Sequence, residues 1–295
     1  MNMTQAAAGD EADRIIEALR TWLGIGLRAV VGLSGGLDSD VVARLVVHAI
    51  GRERLKVFTV IQDDMEARHL RQARETAEDL GLRLAEINLT GYPERFITAM
   101  NNADPDEGFQ PGGLLDPARA KCSLRTPIFS TYQDRGYCVM GTSNRTEIET
   151  GFFLPLGDAV WHFGPIAHLY KSQVMAVARV VGTSDAVLSQ PPSAGFWSGQ
   201  EDLEDLSYWL LNAGPIGRER EFTDEDVAQV EQIRTELTIE RVDRALLALV
   251  RGLGDVQVAA ASDLPLSLVE RLRALTLNAA RLKRRALGTR LPNLS

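Results

Sequence analysis

The sequence predicts an α/β protein, a doubly wound parallel sheet with flanking helices and a helical C-terminal extension. Three observations predict it. Short apolar runs of strand length alternate with segments whose apolar residues recur at helical spacing. Such short apolar strands are the kind a parallel sheet buries under helices on both faces, joined by right-handed crossovers. From about residue 200 onward the helical pattern alone persists.

The elements follow in order. Residues 11 to 23 place Ile15, Ile16, Leu19, Trp22 and Leu23 on one helical face. Leu27 to Leu33 reads as the first strand, and Asp40 to Ile50 as the helix after it. Leu55 to Ile61 is the second strand, followed by a helix ending near Leu80-Gly81, where the glycine suits a C-cap. Leu82 to Asn88 alternates like a third strand, and Tyr137 to Met140 is a fourth. Residues 101 to 120, rich in Asn, Asp, Gly and Pro, read as a mobile loop, and Lys171 to Val181 as a further helix. No linker divides the chain, so residues 1–295 are expected to form one domain, with an α/β core over about 11–200 and a helical part over about 201–295.

Composition excludes several classes. The chain has 295 residues, 45% hydrophobic and 24% charged, with a mean hydropathy of -0.09, ordinary values for a globular protein with a sizeable core. No run approaches the roughly 18 apolar residues of a membrane span. The first ten residues lack a basic start followed by an apolar stretch, so no signal peptide is expected, only a frayed leader before a helix. Two cysteines, Cys122 and Cys138, make no disulfide framework and point to a reducing, cytoplasmic setting. The four histidines are too scattered for a zinc site, and a net charge of -8 argues against a nucleic-acid partner.

The informative stretch is Gly32-Leu33-Ser34-Gly35-Gly36-Leu37-Asp38-Ser39, between the first strand and its helix. Its glycines let the backbone approach a ligand closely, Ser34 and Ser39 add hydroxyl groups, and the helix start offers free N–H groups, a cradle for a polyphosphate. It has no Lys-Ser/Thr pair and is not G-x-G-x-x-G, so neither the Walker A loop nor the dinucleotide fingerprint applies. Asp38 would repel phosphate unless a cation lay between them, which assigns it to Mg²⁺. The bland alternative is a plain strand–helix turn with a solvent-facing aspartate.

These residues resemble the signature of the PP-loop ATP pyrophosphatase superfamily, with its adenine nucleotide α-hydrolase-like fold. The resemblance implies cleavage of ATP between the α- and β-phosphates and adenylation of a substrate. Three further stretches resemble ammonia-dependent NAD synthetase: Gly141-Thr-Ser-Asn-Arg-Thr-Glu147, Pro165 to Val174, and Gln190 to Gln200. That resemblance, over about 11 to 200, implies ATP contacts at Gly32 to Ser39, Thr142, Lys171 and Ser193, and magnesium ligands at Asp38 and Glu147. It implies a two-step reaction in which a carboxylate attacks ATP, releasing pyrophosphate, and ammonia displaces AMP to leave an amide. Lys171 can neutralise the charge that builds on the phosphates, and with Asp38 it is the candidate catalytic pair. The lesser alternatives are a helix-start decoration for Glu147, a surface lysine for Lys171 and an N-cap for Ser193.

The substrate side departs from the family. The paired-arginine position reads Ser123-Leu-Arg125, the substrate lysine falls on Pro155, an aspartate falls on His162, and the C-terminal His-Lys-Arg reads Leu282-Lys283-Arg284. Losing cations there weakens the pairing available to an anionic dinucleotide. The expectation is therefore an ATP- and Mg²⁺-dependent amide ligase whose acyl substrate has diverged from deamido-NAD, with Trp161 and His162 helping to line the altered pocket. Alternatives are a genuine NAD synthetase with locally shifted loops, a thiolating or tRNA-modifying enzyme, and a nucleotide-binding regulator without turnover. Retention of both Asp38 and Glu147 speaks against the last. Cys122 is tempting as a glutaminase nucleophile, but it has no histidine nearby in sequence and reads better as a small buried residue, so nitrogen comes from free ammonia or a separate glutaminase. The resemblance also implies a homodimer.

Overall fold

A computed structural model describes residues 3–63, 65–190, 201–214 and 221–285, with side chains up to Arg281. Its sheet is four-stranded and wholly parallel, built from β1 (Arg28–Gly32), β2 (Leu55–Ile61), β3 (Leu84–Asn88) and β4 (Tyr137–Val139) in the order β3-β2-β1-β4. Around it lie α1 (Gln5–Leu23), α2 (Leu37–Ile50), α3 (Ala67–Asp79), α4 (Tyr92–Ala103), α5 (Leu115–Ser123), α6 (Arg125–Gln133), α7 (Arg145–Thr150), α8 (Lys171–Val181) and α9 (Asp185–Leu188). The helical C-terminal part comprises α10 (Asp202–Asn212), α11 (Asp224–Glu236), α12 (Ile239–Val250), α13 (Asp255–Ser262) and α14 (Leu266–Arg285). No helix among the described residues is long and apolar enough to cross a membrane.

The two-residue period of a strand sorts β1 onto two cores. Ala29 and Val31 join α1, α2 and α8 on one face through Leu19, Val42, Leu45 and Val177. Val30 faces the other way, with Phe58 of β2 and Phe129 of α6, whose rings meet edge to face at 5.2 Å. Helices thus cover both faces, as the short apolar strands require. A third core joins α10 to α14 and takes in Tyr170 at the start of α8.

Asp40 ties this layer together from inside. Its carboxylate accepts from Thr76 of α3 at 2.8 Å, from Thr183 beyond α8 at 2.6 Å and from Arg44 at 2.9 Å, and Arg44 also pairs with Asp79 at 2.7 Å. Both carboxylate oxygens that burial strips of water are thereby met by donors.

Two expectations need correction. The N-terminal leader is not frayed: Thr4 caps a helix that begins at Gln5, because Ala8 is buried and extends the apolar face backwards. Residues 101 to 120 are not one loop, since α5 starts at Leu115 and buries Ala118 and Ala120. Cys122, near the end of α5 and just ahead of α6, is buried as expected. Its thiol is pushed up to about 12 by burial and the Asp158 charge, so at pH 8 roughly one thiol in 10⁴ is ionised. Iodoacetamide is therefore expected to leave Cys122 unmodified in the native protein at pH 8 and to label it on unfolding; rapid native labelling, read by peptide mass, would contradict the buried placement.

Candidate active site

The carboxyl ends of β1, β2 and β4 open into one cleft, beside β1, where the strand order reverses direction. The glycine-rich turn forms its floor. Ser39 Oγ donates to the Gly36 carbonyl at 3.0 Å and accepts from the Ser34 amide at 3.2 Å, while the two seryl oxygens lie 3.1 Å apart. Gly36 is the N-cap of α2 and offers no capping side chain, so the first amides of α2 remain available to an anion. Gly32, Leu33, Ser34, Gly36, Leu37, Asp38, Ser39 and Thr142 all line the cleft. Gly35 does not; its φ of +81° and the 2.0 Å from a would-be Cβ to the His69 carbonyl oxygen make it a backbone requirement.

Three carboxylates and one ammonium gather above this floor. Lys171, at the first turn of α8, bonds Asp38 and lies 3.9 Å from Asp202. The side-chain amide of Asn144 donates to Glu147 at 2.7 Å and to Asp38 at 3.3 Å, so those two acids face one point. Glu147 also closes a capping box with Asn144 at the start of α7. Glu147 thus caps α7 and lines the cleft at once. Burial, then the Asp38 charge, lifts the Glu147 carboxyl well above the ordinary glutamate range. Burial also raises Asp202, against the pull of Lys171. For Lys171 burial acts downward, but Asp38, Asp202 and Glu147 outweigh it and hold the ammonium above the usual lysine value. A formal excess of two negative charges remains, which one divalent cation would balance. Among the described residues no cluster of three or more His, Cys, Asp or Glu forms a ready cage for a metal. The donor set fits Mg²⁺ all the same, which takes one or two carboxylates and fills its shell with phosphate oxygens and water.

A buried support stands behind these groups. Asp243 of α12 accepts from Thr146 Oγ1 at 2.6 Å and from the Ser172 amide at 2.8 Å, and Thr146 Oγ1 in turn accepts from the Lys171 amide at 2.9 Å. It joins the starts of α7 and α8, which carry Glu147 and Lys171.

On the substrate side, Arg125 lines the cleft together with Asp158, and the charge of Arg125 opposes the burial that raises the Asp158 carboxyl. Ser123, Pro155, Trp161 and His162 do not line it. His162 Nδ1 accepts from the Val139 amide at 3.0 Å and the His162 amide donates to the Val139 carbonyl at 2.9 Å, so this residue prolongs the sheet edge beyond β4. Trp161 packs on Gly141, where a Cβ would come within 2.5 Å of its ring. Ser193 and the Lys283 side chain lie outside the described residues. Asn144, Asp158, Asp202 and Asp243 escaped sequence reasoning. The N-x-x-E spacing of Asn144 and Glu147 was a readable signal, as was the Gly157-Asp158 pair that follows Pro155; Asp202 and Asp243 had none.

Comparison with known proteins identifies the family. The sequence model described as NAD synthase matches residues 24–247. The chain is 36% identical over 197 residues to an NH(3)-dependent NAD(+) synthetase of Methanococcoides burtonii, covering 66% of this chain and 73% of that protein. It is 34% identical over 185 residues to its counterpart in Pyrococcus furiosus, covering 62% and 68%. Among solved structures, an NMN synthetase from Francisella tularensis superposes with a TM-score of 0.70 at 21% identity, covering 97% of this chain and 99% of that one. An NH3-dependent NAD synthetase from Campylobacter jejuni superposes with a TM-score of 0.66 at 18% identity, covering 98% of each. At those identities the two structures establish the fold.

Proposed function

Because the chain belongs to the NAD synthase family, we propose that its cleft adenylates a carboxylate other than deamido-NAD and passes the acyl group to ammonia. The protein is a carbon–nitrogen ligase that uses ATP and Mg²⁺. The observation that carries the reading is the convergence of Asp38 and Glu147 on one amide beside Lys171 and above the glycine-rich turn.

In this mechanism the turn and the first amides of α2 hold the phosphate tail by directed N–H groups. Asp38 and Glu147 would hold Mg²⁺, which when bound withdraws charge from the phosphates. Lys171 exchanges its bond to Asp38 for the phosphate oxygens and offsets their charge as pyrophosphate departs. Asp243 and Thr146 keep Lys171 and Glu147 in register while this happens. The substrate carboxylate is the nucleophile, so positioning and charge neutralisation suffice and no side-chain nucleophile is called for. Thr142 and Ser193 complete the nucleotide contacts in this reading. The assembly is a homodimer of single-domain chains in the cytoplasm, fed by ammonia.

Divergence of the acyl substrate is supported by the charge on that side of the cleft. Arg125 faces the carboxylate of Asp158, and Pro155 brings neither cation nor amide donor. An acid with fewer phosphates than deamido-NAD meets less uncompensated repulsion there. Nicotinate mononucleotide is the first to try, since the fold also serves a protein named NMN synthetase. Incubation with ATP, Mg²⁺, ammonium and either acid, followed by pyrophosphate detection, is expected to give acid-dependent release, with kcat/KM for deamido-NAD about tenfold or more below that for the preferred acid. Equal or faster turnover of deamido-NAD would refute divergence. No pyrophosphate with any acid would refute adenylation itself.

A further inference from the structure

Two carboxylates that face one point repel each other, and Asp38 and Glu147 do so through a neutral residue set between them. That residue, Asn144, is wholly buried at 0% exposure. Its side-chain oxygen accepts from the Glu147 amide at 3.1 Å. The opposite orientation would set NH₂ against that N–H and an oxygen against two acids, so the side-chain amide can point one way. Its NH₂ group has two hydrogens and two acceptors, Glu147 Oε1 at 2.7 Å and Asp38 Oδ1 at 3.3 Å. The Asn144 backbone amide donates to the second oxygen of Glu147 at 3.2 Å, and Lys171 bonds the second oxygen of Asp38.

We propose that Asn144 is the positioning residue of the cation site, holding Asp38 and Glu147 so that both can ligate one Mg²⁺. The inference rests on the reading that these two acids hold the metal, and adds the group that sets them for it. A neutral amide suits this place better than a cation would, since it orients both acids without cancelling the charge that attracts the metal. The arrangement on Asp38 gives Asn144 its importance. When Lys171 turns to the phosphates, its bond to Asp38 is given up. Among the described residues, Asn144 is then the side chain that still holds Asp38 toward Glu147. A hydroxyl has one hydrogen on a shorter arm, so neither serine nor threonine can span both acids.

Asn144→Ser separates this role from helix capping, because serine caps about as well as asparagine and keeps an acceptor for the Glu147 amide. Binding of α,β-methylene-ATP is measured with and without Mg²⁺, which needs neither an acid substrate nor turnover. Mg²⁺ is expected to tighten the analogue on the wild-type protein. In Asn144→Ser that gain should shrink about tenfold or more, as when a group behind a metal ligand is removed, while affinity without Mg²⁺ stays within about twofold. A gain within about twofold of wild type overturns the positioning role. An equal loss with and without Mg²⁺, which damage to the fold would produce, overturns it too. Should Asn144→Ser fail to fold, Asn144→Thr fills more of the space, keeps the cap and carries the same comparison. Absence of any Mg²⁺ gain in the wild-type protein would sink the metal reading of Asp38 and Glu147 first, and the role of Asn144 with it, which separates the two failures.

Discussion

Lys171→Met is expected to lose activity and stability together. The ammonium is buried against Asp38 and is flanked by Asp202, and Glu147 adds a third carboxylate. Removing one partner of a buried pair costs about 3–5 kcal/mol, because the other charge stays behind unpaired. That corresponds to a fall in Tm of roughly 10 °C in a protein of this size. Loss of a preorganised charge opposite the phosphates lowers the rate of pyrophosphate release by about 10²–10³-fold. The pH dependence has a definite sign. Glu147 and Asp202 already sit above their ordinary values, and loss of Lys171 raises them further. Acids raised by folding contribute stability that is present at low pH and lost as pH rises through the folded value. The Tm gap between variant and wild type should therefore narrow from pH 8 to pH 5, and Mg²⁺ should restore more Tm to the variant than to wild type. A gap that is constant with pH, or pyrophosphate release within about tenfold of wild type, would refute the charge cluster as described.

Gly35→Ala is expected to be the most damaging change in the glycine-rich turn. A Cβ there comes within 2.0 Å of the His69 carbonyl oxygen, and φ is +81°. Left-handed strain and the displaced backbone of α3 together cost about 2–6 kcal/mol. Gly36→Ala is the control, one residue along. Its φ is -94°, and a Cβ meets no more than the Ser34 hydroxyl at 3.3 Å. Loss of stability there should be about 1 kcal/mol or less. Thermal unfolding of the two variants decides the matter: equal Tm values would show that the turn is not wedged against His69. Nucleotide binding should fall in Gly35→Ala even below its Tm, since the wedge sets the aim of the α2 amides.

The elements most legible in the sequence were those whose pattern is local. The second strand, Leu55–Ile61, and the helix Lys171–Val181 match their expected bounds, because each is bracketed by its own apolar period and turn residues. Helix α5 was missed because the Asp, Gly and Pro residues around 101–116 mask its short apolar face, which gains its meaning from packing on α4. Trp161 and His162 were expected in the pocket, yet aromatic and imidazole side chains serve packing as readily as ligands. Here one covers a glycine and the other finishes a sheet edge.

The amino-acid order by itself determined the parallel α/β layering, the glycine-rich turn and the family, since all three are written in residues close together along the chain. Tertiary structure alone decided which charges meet. Asp202 and Asp243 stand 31 and 72 residues beyond Lys171 and come to it only through the packing of α10 and α12. Coulomb attraction and desolvation act through space over a few ångströms, so no spacing along the chain could have announced that Lys171 would sit among three carboxylates.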